Sequence, residues 1–153
     1  MSTTSPSGRA DPVAGIRRIA RPAFSVFFAL HGIVHYIGFA VPFELMKTES
    51  NVYTTQALWG QLELGDGGAK ALGLAHLALV IPFVIAAVGV WRDARWALPL
   101  VVALAVASGV VCALGSPNAV IGLVIDVLVI GLVVLAPQVL SAHARPLWGR
   151  SRG

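Results

Sequence analysis

The chain has 153 residues, of which 57% are hydrophobic and 12% charged, with a net charge of +4 and a mean hydropathy of +0.81. A soluble domain is about 25% charged, so this chain has too few charges to cover a water-facing surface, and its length suits one domain. The basic residues cluster outside the apolar runs, which argues against nucleic-acid binding, and the single cysteine, Cys112, excludes an intramolecular disulfide or a cysteine-built metal site within one chain.

Residues 1–21 form a basic N-terminal tail. Its first part is rich in Ser, Thr, Pro and Gly without apolar periodicity, a composition expected to be disordered. A first apolar span follows over about 23–43. It is too long for the apolar region of a signal peptide and lacks a small-x-small cleavage site, so it reads as a retained helix. A polar segment with Tyr53, Trp59 and several leucines comes next, read as a surface loop or a short surface helix over the bundle. Gly65-Asp66-Gly67-Gly68 reads as a turn. Spans over about 69–90, 96–114 and 119–136 complete the set, separated by tight connections at 91–96 and 115–118. A basic tail covers 141–153.

Each run has the length a helix needs to cross ~30 Å of hydrocarbon at ~1.5 Å per residue. Barrel strands would be half as long and would alternate polar with apolar. The expected fold is therefore all-α, a bundle of four transmembrane helices within 22–140. An even number of spans puts Arg9, Arg17, Arg18, Arg21, Arg92, Arg95, Arg145, Arg150 and Arg152 on one side, and only Lys47 and Lys70 on the other. The positive-inside rule then places both termini in the cytoplasm. Trp59, Trp91, Trp96 and Trp148 fall at span ends, as interfacial aromatics do.

This layout converts position into depth. His35, His76, Ser108 and Asp126 each lie about 9–12 Å below the outer ends of their helices, and His31 lies one turn deeper than His35. All four helices offer a polar group at one level. His31 and His35 are four apart and share a face, and Gly38 on that face admits a close neighbour. Ala105-x-x-x-Gly109 is a small-residue packing face. An Asp inside a span costs about 2.5–3.5 kcal/mol by insertion scales, so Asp126 should face the interior and meet a partner.

Several readings of this level stand open. Asp126 can pair with a histidine and set helix register. His35, His76 and Asp126 can supply a divalent-metal site, or histidines from two helices can bracket a haem. The His31, His35, His76 and Asp126 set, with Ser108, can also form a proton relay or a redox site for a lipid-soluble, quinone-type molecule entering sideways. A transport or accessory subunit, as a homo-oligomer or with a membrane partner protein, is the non-catalytic alternative. Cys112 reads as a packing residue.

The stretch His31-Gly32-Ile33-Val34-His35-Tyr36-Ile37-Gly38-Phe39 resembles the first-helix pattern His-Gly-x-x-His-x-x-Gly-Phe of small four-helix bacterial membrane proteins, loosely DoxX-like. The similarity extends to Leu72-Gly73 and to the Pro117-Asn118 turn. It implies a four-span fold over about 23–137 in a bacterial cytoplasmic membrane. It departs at His76, where such proteins often carry Trp.

Overall fold

The computed structural model describes residues 13–46 and 52–144. The tails expected over 1–12 and 145–153, including Trp148, lie outside the described residues, as does Lys47. Four helices make up the body: α1 (Ala14–Ala40), α2 (Gly65–Trp91), α3 (Ala97–Leu114) and α4 (Val120–Leu135). A 3-10 turn at Pro137–Val139 follows α4. Between α1 and α2 lies a two-stranded antiparallel hairpin, β1 (Gln56–Ala57) and β2 (Leu62–Glu63), with Gln56 opposite Glu63.

α1, α2 and α3 are long and apolar enough to cross a membrane, and α4 is a shorter apolar helix of 16 residues. The buried positions form one stripe per helix. On α1 they include Phe24, Ser25, Phe28, His31, Gly32 and His35, and on α3 Val101, Leu104, Ala105, Ser108 and Cys112. The remaining faces are apolar as well: Leu30, Val34, Leu74, Ile81, Val110, Ile121 and Leu128 are all exposed. A helix that is apolar all round cannot face water and fits a lipid surround.

The helices pack in chain order, α1 on α2, α2 on α3 and α3 on α4, while the α1 and α4 backbones approach closely at few points. The apolar core fills one half of the bundle, with Phe28, Phe83, Val90, Val101, Val129 and Val133 among its members. This is the half that carries Arg17, Arg21, Arg92 and Arg95. The hairpin lies at the opposite end.

Two boundaries differ from expectation. α1 begins at Ala14, nine residues before the expected span. Ala, Ile and Arg there sustain a helix, and the Arg17 guanidinium donates to the Gln138 carbonyl (3.3 Å). The Gly65–Gly68 stretch, read as a turn, is the first turn of α2, where Asp66 complements the helix dipole.

The segment read as a loop or surface helix is the hairpin. Leu58 and Trp59 adopt positive φ (50° and 57°), a costly conformation for bulky residues. Their N–H groups donate to the Leu114 and Ser116 carbonyls (3.2 and 3.0 Å). They satisfy the last carbonyl of α3, which has no intrahelical partner, and one in the turn that follows it. Asn118 donates to the Val52 carbonyl (3.0 Å), and Tyr53 hydrogen-bonds Asp66. The hairpin is thereby strapped across the bundle end.

At the basic end, Asp93 in the α2–α3 connection pairs with Arg21 (3.1 Å) and accepts from the Ala142 N–H (3.3 Å). Burial alone would raise its pKa. The Ser141 hydroxyl, the Ala142 N–H and Arg21 outweigh burial and hold the carboxyl below its usual value. A carboxylate with a lowered folded-state pKa stabilises above its unfolded value of about 3.9 and loses that contribution as pH falls through the folded value. Thermal unfolding in detergent at stepwise lower pH should therefore show an acid-side loss of stability that is smaller in Asp93→Asn. Identical slopes in the two proteins would contradict this.

Candidate functional site

The other half of the bundle holds the polar side chains, and they meet. His31 Nε2 lies 3.0 Å from Asp126 Oδ1. The Ser108 hydroxyl donates to Asp126 Oδ2 at 2.6 Å. His35 Nε2 lies 2.9 Å from Ser108 Oγ, and His35 Nδ1 lies 2.8 Å from His76 Nδ1. The five residues expected from depth alone thus form one hydrogen-bonded chain, His76–His35–Ser108–Asp126–His31, that joins all four helices. Ser108 and Asp126 are its most buried members, at 0% and 1% exposure. Among the described residues, the only fully buried side-chain N or O without a partner is Gln138 Oε1, which lies outside this chain.

The neighbours explain the glycines of the first-helix motif. Phe83 is fully buried and touches the rings of Phe28, His31 and His35, with centroids 4.6, 5.4 and 5.3 Å away. A Cβ at Gly32 would overlap the Phe83 Cβ. A Cβ at Gly38 would stand 2.6 Å from His76 Cγ. Both positions must be glycine for α2 to bring Phe83 and His76 against α1. Phe83 lies seven residues after His76, hence on the same helix face. That spacing was a usable signal the sequence reading passed over. Cys112 stands in the cavity wall with Sγ 3.9 Å from Ser108 Oγ, and a Cβ at Gly122 would lie 2.8 Å from that sulfur.

The bonds fix one another. Ser108 has a single proton. With Asp126 a carboxylate, that proton goes to Oδ2, so Ser108 must accept from His35 Nε2–H. His35 Nδ1 is then a lone pair and accepts from His76 Nδ1–H. His76 Nε2 is left as a bare acceptor. His31 donates independently from Nε2 to Oδ1. The opposite polarity needs one more proton. A proton arriving at His76 Nε2 can shift each inner bond in turn and leave Asp126 protonated with no imidazole charged. The ring nitrogens are thus wired to a carboxylate two helices away.

The three side chains expected as a metal set do not converge on one point. Imidazole–metal bonds of about 2.0–2.1 Å in tetrahedral geometry hold two ligand nitrogens about 3.3 Å apart. The His35 and His76 Nδ1 atoms are closer than that, and Ser108 stands between His35 and Asp126. Among the described residues no group of three or more His, Cys, Asp or Glu side chains is placed to hold a metal ion.

A cavity of about 490 Å³ adjoins the chain, within the 300–1,000 Å³ typical of ligand pockets. His31, His35 and His76 line it, and Ser108 and Asp126 do not. Its other walls are Phe27, Leu30, Val34 and Gly38 of α1, Leu72 and Gly73 of α2, and Ile121, Gly122 and Ile125 of α4. Val52, Tyr53, Thr54 and Gln56 of the hairpin segment cover its end. Of these, Tyr53 belongs to the segment that the sequence places over the bundle; Val52, Thr54 and Gln56 carry no sequence signal, because a lid contact leaves no periodic signature. The cavity reaches the gap between α1 and α4, where the rim residues Leu30, Val34 and Ile121 are exposed. His76 Nε2 has no hydrogen bond among the described residues and lies beside Gly115 in the cavity wall.

Compared with known proteins, the chain matches no family model, no curated protein and no solved structure.

Proposed function

We propose that this is a four-span protein of the bacterial cytoplasmic membrane, with both termini in the cytoplasm, that binds a lipid-soluble ligand between α1 and α4. The observation that carries this reading is a largely apolar cavity with three imidazoles in its wall and an apolar rim in the gap between two helices. An apolar body entering from lipid would lie against Leu30, Val34, Leu72 and Ile125. A polar head would meet the histidines. The basic residues gathered at the end opposite the hairpin support the orientation. The resemblance of the first helix to DoxX-like proteins agrees with the span count. The hydrogen-bonded chain adds a proton-accepting path behind the head group, suited to a redox or proton-linked role.

A lipid-soluble aromatic diazirine probe tests the cavity. In nanodiscs, photolabelling should concentrate on peptides containing residues 27–38 and 121–125. It should exceed labelling of the exposed α2 surface around Ile81, Ile85 and Val88. Even labelling of every lipid-facing surface would remove the ligand-binding reading and leave a structural polar cluster.

A further inference from the structure

We infer that the ligand's head group is a hydrogen-bond donor, a phenol-type hydroxyl on an apolar body, and that Asp126 sets this preference from outside the cavity. The inference rests on the ligand-binding reading above and specifies its chemical class.

The argument is one of polarity. The His76 side chain is 6% exposed as a whole, and a polar nitrogen that opens onto a largely apolar cavity without a partner is costly once a ligand covers it. Its Nδ1 is committed to His35, and its Nε2 is the unpartnered atom in the cavity wall. What Nε2 offers is decided elsewhere. The Asp126 carboxylate takes the Ser108 proton, Ser108 takes the His35 Nε2 proton, and His35 takes the His76 Nδ1 proton. Nε2 is then a lone pair, which a hydroxyl donor satisfies and an ether or ester oxygen does not. The groups facing this chain from every helix are His31 and His35 on α1, His76 on α2, Ser108 and Cys112 on α3 and Asp126 on α4. Of the acceptors within reach of the Ser108 hydroxyl, Asp126 Oδ2 at 2.6 Å is nearer than His35 Nε2 at 2.9 Å or Cys112 Sγ at 3.9 Å, and a carboxylate there can only accept. An Asn at 126 changes the outcome. Its carbonyl would serve His31 Nε2–H, and its NH₂ would donate to Ser108. Ser108 would then donate to His35 Nε2, His35 Nδ1–H to His76 Nδ1, and His76 Nε2 would carry the proton. Asp126 is therefore a positioning residue for head-group selection.

The test is competition against the diazirine probe in nanodiscs, using a long-chain 4-alkylphenol and its methyl ether. In the wild-type protein the phenol should displace the probe at about tenfold lower mole fraction than the ether, the worth of one buried hydrogen bond. In Asp126→Asn the ratio should fall to near one, because the ether oxygen can then accept from His76 Nε2–H and displaces the probe at a lower mole fraction, while the phenol oxygen accepts there as well. His76→Phe, which keeps a ring in the wall, should also abolish the ratio. Equal displacement by phenol and ether in the wild type would overturn the donor inference while leaving the cavity reading intact. A ratio that survives in Asp126→Asn would overturn the role of Asp126. Failure of the probe to label the cavity peptides at all would instead count against the ligand-binding reading itself.

Discussion

Replacing Asp126 with Ala is expected to lower unfolding stability in mixed micelles by about 2–5 kcal/mol, the range for stripping a partner from buried polar groups. The change removes the acceptor of both the His31 Nε2–H and the Ser108 hydroxyl, in a site where Asp126 is 1% exposed. Water cannot replace it at that burial without a cavity of its own. Asp126→Asn should behave differently. Its carbonyl can accept from His31 and its NH₂ can donate to Ser108, so every group retains a partner. Its loss should stay within about 1 kcal/mol, near the net worth of a single hydrogen bond. The pair separates two ideas. If both variants lose the same stability, the negative charge itself holds the bundle together. If Ala alone is damaging, the connected hydrogen bonds do.

Much of this site was legible before the fold. Depth along four spans put His35, His76, Ser108 and Asp126 at one level, because helices of known rise between two interfaces leave little freedom. The i, i+4 spacing put His31 beside His35. The order of connection was not legible. That Ser108 stands between His35 and Asp126, and that His31 takes the other carboxylate oxygen, depends on helix rotations that an all-round apolar sequence does not encode. α2 and α3 are apolar on every face, so no stripe announces their buried side. The hairpin was missed for a related reason. Its strands are two residues each, and its positive-φ turn at Leu58 and Trp59 is imposed by the end of α3 rather than by local preference. The early starts of α1 and α2 reflect end contacts, Arg17 to Gln138 and Asp66 at a helix N-terminus, that apolar runs do not report.

The motif glycines give the second large effect. Gly32→Ala and Gly38→Ala should each destabilise by about 1–3 kcal/mol, the usual cost of overpacking a tight contact. At Gly32 the obstructing atom is the Phe83 Cβ, which cannot move without the α2 backbone. At Gly38 the new methyl meets the His76 ring, so this variant should also break the His35–His76 bond and abolish probe labelling of the cavity. Gly131→Ala on α4 is the matched control. Nothing lies within 4 Å of a Cβ there, and Ala is favoured over Gly in a helix by up to about 1 kcal/mol. That variant should be neutral or more stable. Unfolding of the three variants in one detergent system checks the sign at each site. A destabilised Gly131→Ala, or a silent Gly38→Ala, would contradict the packing described for α1 and α2.

The most direct measurement is solid-state NMR of the protein in lipid, with ¹⁵N-labelled histidine and no added ligand. The connected chain requires His35 to carry its proton on Nε2 and His76 on Nδ1, with a ¹⁵N–¹⁵N coupling across the Nδ1–H···Nδ1 bond. In Asp126→Asn both tautomers should reverse. Finding His76 protonated at Nε2 in the wild type, or no coupling between the two rings, would show that the carboxylate does not govern the cavity wall.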